Sequence, residues 1–267
     1  MRKRVAAGVL LGSVLASPVM AWGPIVHPLV VRGAIDALPK QMKGFYKDHR
    51  LEIPSLALEP SVPERGPDRR FAVDRLLPYP FADLPHTEAT LKERFGDAAG
   101  GVGRLPWLIH ESYDRLVEAF RSSDKEKILA ESDTMAGLIA DLHNPLSLTD
   151  NFDGHKTGQH GLWVRLTVKL PEAVEKDLKL ASVGSFYLDD PKEYVFSMMN
   201  QSYVWVDNVL YADELARRGK PGYGTIYYDH FRDRVVTVLR DRLTQAARDA
   251  GSYWYTAWTV AGRPELK

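Results

Sequence analysis

The chain has 267 residues, 45% of them hydrophobic and 26% charged, with 35 basic side chains balanced by 35 acidic ones. Zero net charge argues against a general polyanion binder, because nucleic-acid affinity is carried by a basic face, although a local basic strip stays open. The absence of cysteine excludes disulfides and thiol chemistry, so any nucleophile comes from oxygen, nitrogen or a metal-bound water.

In chain order, "MRKR" is a positive region, "VAAGVLLGSVLA" a short apolar core, and "SPVMA" places Val19 and Ala21 at small-residue positions. This pattern predicts a secretory signal over residues 1–21, cleaved before Trp22. Its apolar run is too short to span a bilayer, and no second long apolar segment follows. The expectation is an exported protein, periplasmic or secreted, with residues 22–267 as one metal-binding domain. "GPIVHPLVVRGAIDAL" (Gly23 to Leu38) predicts a first helix. A Pro- and Gly-rich connection then runs from Ile53 to His86, a length that is usually functional or disordered inside a compact domain. Helical spacing returns over Leu108 to Phe120 and over Asp124 to His143, where Ile128, Met135, Leu138 and Leu142 share a face. Val164 to Leu170, "VRLTVKL", alternates like a strand. From Phe231 onward, Val236, Leu239, Leu243, Ala246, Ala250, Trp254, Ala257 and Ala261 form one stripe of a long helix, with a break expected near Gly251 and stop signals at Gly262 and Pro264. These elements predict a single, mostly helical domain.

Three features point toward metal chemistry. Cleavage before Trp22 would free an α-amine which, with the first carbonyl oxygen, chelates an ion in a five-membered ring; an amine pKa of roughly 8 makes deprotonation easy. His27 follows close behind. The long connection offers Asp68 in "PDR" and His86 in "DLPHTE". Finally, Asp141 to Thr167 reads "DLHNPLSLTDNFDGHKTGQHGLWVRLT", dense in histidine and carboxylate. Taken singly, each has a plain alternative as a packing, surface or capping residue.

Taken in order, Trp22, His27, Asp68, His86, "DLHNPL", "NFDGHKTGQ" and the closing "YWYTAWTVAGRP" resemble the zinc-dependent phospholipase C and single-strand-specific nuclease superfamily. The resemblance covers essentially the whole mature chain. It implies an all-α, multi-helix domain with long loops. It also implies a zinc pair bridged by Asp141, with Trp22 and His27 on one ion, Asp68 and His86 on the other, and Asp68 orienting the bridging water. Four positions depart from the pattern. Gly137 stands where a histidine four residues before Asp141 would share its helix face. Ser147, Trp163 and Thr167 stand where a third zinc would be held. His143, Asp150 and Asp153 lie in family-like stretches without being required as ligands, and His155 and His160 are candidates for a rebuilt third site. Fewer than three zinc ions are therefore expected. Zinc tolerates an open position, and a reduced pair still lowers the pKa of bound water toward about 7. The first expectation is an exported phosphodiesterase acting on phospholipid or single-stranded nucleic acid. The alternative is a non-catalytic binding or scaffold protein with at most one or two structural zincs.

Overall fold

A computed structural model describes residues 22–53, 66–220 and 222–267. The expected signal and its cleavage site, and much of the long connection, lie outside the described residues. Among the described residues there are nine helices, joined by loops and short 3-10 turns, and no strand. The first is α1 (Val26–Ala37), followed after Pro39 by α2 (Lys40–Asp48). Helix α3 (Glu88–Phe95) starts at Thr87, whose hydroxyl accepts the Thr90 N–H, and stops at Gly96 with φ 54°. Helix α4 (Leu105–Ser122) carries Pro106 in its first turn, where a missing N–H costs nothing. Helix α5 (Lys125–Leu142) begins where the carboxylate of Asp124 accepts the Lys127 N–H. Helix α6 covers residues 162–174, α7 is Pro191–Tyr203, α8 is Val206–Arg217, and α9 is Thr225–Val260.

The single core is organised on α9, which runs unbroken for 36 residues against α1, α4, α5 and α8. The break expected at Gly251 does not occur. A glycine costs a helix interior only about 1 kcal/mol, which the buried neighbours Tyr253, Trp254 and Ala257 offset. Its role is proximity: a Cβ at Gly251 would lie 3.0 Å from the Ala34 carbonyl oxygen on α1. Trp254 stacks on Tyr46 of α2 at 4.8 Å, and its indole donates to the Ser132 carbonyl of α5 at 3.1 Å.

Gly33 marks the same close approach from the α1 side, since a Cβ there would stand 2.7 Å from the Ala247 Cβ. Gly33→Ala is therefore expected to lose stability. Overpacking costs about 1–3 kcal/mol and outweighs the roughly 1 kcal/mol of helix propensity that alanine adds. Gly44→Ala on the exposed side of α2, where nothing stands within 4 Å, is expected to gain about 0.5–1 kcal/mol. Urea unfolding of the two variants checks the contrast; equal and positive shifts would remove the proximity argument.

The strand expected over Val164 to Leu170 is helical. Leu162–Val164 is α-helical, Arg165–Lys169 forms a π-turn closed by the Leu170 N–H on the Arg165 carbonyl, and Leu170–Val174 resumes the α-helix. Pro171 explains the wide turn. Proline has no N–H, and its ring conflicts with the carbonyl four residues earlier. That carbonyl, Thr167 O, instead accepts the Gly23 N–H at 3.0 Å. Among the described residues no helix is long and apolar enough to cross a membrane.

Candidate functional site

Trp22 lodges between α5 and α6. Its side chain is buried, its indole N–H donates to the Ala140 carbonyl at 2.8 Å, and the neighbouring Gly23 is held by Thr167. Across from it, α5 presents Asp133, Gly137 and Asp141 four residues apart, one above the other on a single face. His27 of α1 meets this face: its Nε2 lies 2.6 Å from Asp133 Oδ1. Its Nδ1 faces Gly137, 3.4 Å from where a Cβ would be. Trp22, His27 and Asp141 are thus brought to one place.

Asp68 and His86 are not. The turn Pro67–Arg69 is clamped to the start of α4, because Arg104 N donates to the Asp68 carbonyl and Leu105 N to the Arg70 carbonyl. Gly103 at φ 91° makes this possible, since a Cβ there would come within 2.2 Å of the Arg70 oxygen. Asp68 then lines an open cleft of about 400 Å³ with Glu88, Lys92, Asp97, Arg104 and Trp107. His86 turns to α7, stacking on Phe196 at 3.8 Å with Nδ1 2.8 Å from Glu193 Oε2.

The side chain that the clamped turn does send to α5 is Arg69. Its Nε donates to Asp141 Oδ2 at 2.5 Å, and its Nη2 lies 3.1 Å from where a Cβ on Gly137 would stand. The guanidinium occupies the ground between His27 and Asp141. Burial pushes the Asp141 carboxyl above its ordinary pKa, and Arg69 and then His27 pull it back. Tested against a zinc pair, these residues do not fit. Asp141 and the Nδ1 of His27 are suitable donors, but a fixed positive charge fills the space between them and the remaining donors point elsewhere. No protein-family model matches this chain, and no curated protein matches it.

The segment expected around a third ion is an ordinary structural region. Ser147 is buried with its hydroxyl unpartnered, while its carbonyl accepts the Phe71 N–H at 2.7 Å. Asp153 starts α6 by accepting the N–H groups of Gly161 and Trp163 at 3.0 Å each, and the Trp163 ring meets Phe152 edge-on. The Thr167 hydroxyl returns to the Trp163 carbonyl. Asp150 pairs with Lys156 at 2.6 Å, and His155 and His160 are exposed. His143 is fully buried against Asp249. Among the described residues no three His, Asp or Glu side chains converge as a metal-binding group.

Arg69, Asp133 and Glu193 have no place among the residues singled out from sequence. A signal existed for two of them. Asp133 precedes Asp141 by two helical turns, and "PDRR" sets arginines beside the carboxylate expected to bind metal.

Proposed function

We propose that this is a non-catalytic binding or scaffold protein, built on a helical frame similar to the zinc-dependent phospholipase C and nuclease superfamily. One observation carries the proposal: the Arg69 guanidinium bonded to Asp141 in front of Gly137. A metal-activated water needs two or three ligands converging on an open coordination position. Here Asp141 is committed to a cation, Asp68 lines an open cleft, and His86 pairs with Glu193. Binding would use the cleft beside Asp68, whose walls mix carboxylates, a lysine and the Trp107 ring.

The test is an assay of the exported protein with Trp22 as its first residue, over a broad pH range with excess zinc. Substrates are bis(p-nitrophenyl) phosphate, single-stranded DNA and phosphatidylcholine. No turnover above background is the expected result. Hydrolysis abolished by a chelator and restored by zinc would overturn the proposal in favour of a phosphodiesterase.

A further inference from the structure

We infer that Arg69 is the resident cation of this site: its guanidinium takes the place of a divalent ion between Asp141 and His27, and removing it uncovers a zinc site. The inference deepens the non-catalytic proposal and rests on it.

Asp141 is 2% exposed, and a carboxylate so buried needs a counter-charge and hydrogen-bond donors. Arg69 supplies both through its Nε. Gly137 is the matching half of the arrangement. It sits in the interior of α5, where glycine is unfavourable, yet its missing Cβ leaves the guanidinium its room: a Cβ would press on Arg69 Nη2 at 3.1 Å and His27 Cε1 at 3.3 Å. A side chain at 137 would make the guanidinium and the imidazole give way by a few tenths of an ångström.

The imidazole is already arranged as a ligand. Asp133 accepts the Nε2–H of His27, the way a carboxylate orients a metal-bound histidine. That leaves Nδ1 directed at the guanidinium side. With the positive charge gone, Asp141 and His27 Nδ1 offer one oxygen and one nitrogen, both ordinary zinc ligand atoms, with water left to complete the shell. Arg69 is 32% exposed, so the space is reached from solvent.

Thermal unfolding with and without zinc, together with zinc titration calorimetry, tests this on the mature chain. The wild type is expected to show the same Tm in chelator and in zinc. Arg69→Ala is expected to melt lower in chelator and to rise in zinc, by about 5–10 °C at roughly a hundredfold over its Kd. Arg69→Ala combined with Gly137→His is expected to bind zinc more tightly still, and Arg69→Lys to stay metal-blind with part of the stability restored. Zinc binding by the wild type as tight as that of Arg69→Ala would overturn the inference, as would an Arg69→Ala variant blind to zinc. Should Arg69→Ala fail to fold, the neutral pair Arg69→Met/Asp141→Asn decides: a folded, zinc-blind protein supports the counter-ion role and an unfolded one refutes it. A zinc-blind Arg69→Ala leaves the non-catalytic proposal standing, whereas zinc-dependent hydrolysis by the wild type defeats that proposal itself.

Discussion

Asp213→Ala is expected to destabilise the protein by about 3–5 kcal/mol, the scale for removing one partner of a buried ion pair. Asp213 on α8 is 0% exposed. It accepts from Arg165 Nε at 2.9 Å, from the Tyr227 hydroxyl at 2.5 Å and from Gln159 Nε2 at 2.8 Å. The rest of the guanidinium is also committed, with Nη1 donating to the His160 carbonyl, Nη2 to the Gln159 carbonyl, and the Tyr223 ring 3.9 Å beneath. Alanine leaves that buried charge unpaired and strips the acceptor from the Tyr227 hydroxyl and from one N–H of Gln159, while Arg165 Nε keeps only its 3.2 Å contact to the Tyr227 oxygen. Asp213→Asn keeps an acceptor and is expected to lose less. Arg165→Met/Asp213→Leu removes both charges and is expected to lie closer to wild type than either single change. Urea unfolding gives the three values; a loss below about 1 kcal/mol for Asp213→Ala would place the pair among weak surface bridges.

Asp249→Ala is expected to cost about 3 kcal/mol at neutral pH, with a loss that shrinks in acid. Asp249 on α9 is 0% exposed and accepts from His143 Nε2 at 3.0 Å, Arg248 Nε at 2.9 Å and the Tyr194 hydroxyl at 3.2 Å. Burial opposes its ionisation, but the hydrogen bond from His143 and the Arg248 guanidinium outweigh burial and hold the carboxyl below its ordinary range. A depressed carboxylate contributes stability above its unfolded pKa of about 3.9, and that stability is lost as pH falls through the folded value. His143 adds to the same slope. Burial, more than Asp249 can offset, lowers its pKa and keeps the imidazole neutral. The bare Nδ1, which has no partner, is consistent with a proton carried on Nε2 toward Asp249. The unfolded chain takes up a proton near pH 6.5 that the folded one refuses, so stability falls as pH drops below about 6.5. Wild-type unfolding free energy should therefore decline first below pH 6.5 and again near the carboxylate range. His143→Gln should flatten the first decline. A wild-type profile without slope between pH 7 and 5 would contradict a neutral buried His143.

The helical content was legible where burial follows a single face. Asp124 and His143 bracket α5 as its spacing implies, and the stripe through Leu239, Leu243 and Trp254 marks α9. Helices α7 and α8 carry weaker stripes, although Asp190 before Pro191 is a start signal open to inspection, its carboxylate accepting the Lys192 and Glu193 N–H groups. Val164 to Leu170 misleads for a physical reason. Seven residues of alternation do not separate a strand from a helix whose period is widened by a π-turn. At the candidate site, Trp22, His27 and Asp141 come together because they lie on α5 or against it. Asp68 and His86 part company because the turn and α7 around them are set by contacts far apart in the chain. Arg69 escapes a search for metal ligands altogether, since an arginine is never one. Its meaning depends on the missing Cβ of a residue that is 68 positions away.

The pairing of α1 with α9 joins two helices far apart in the sequence, Val26–Ala37 and Thr225–Val260. Contacts at such sequence separation are entropically slow to form, and rates fall as they come to dominate a fold. While the protein is being synthesised, the apolar face of α1 waits for a partner that is made long after it. A chain truncated ahead of α9 would hold most of the helices described and none of the axis on which they close.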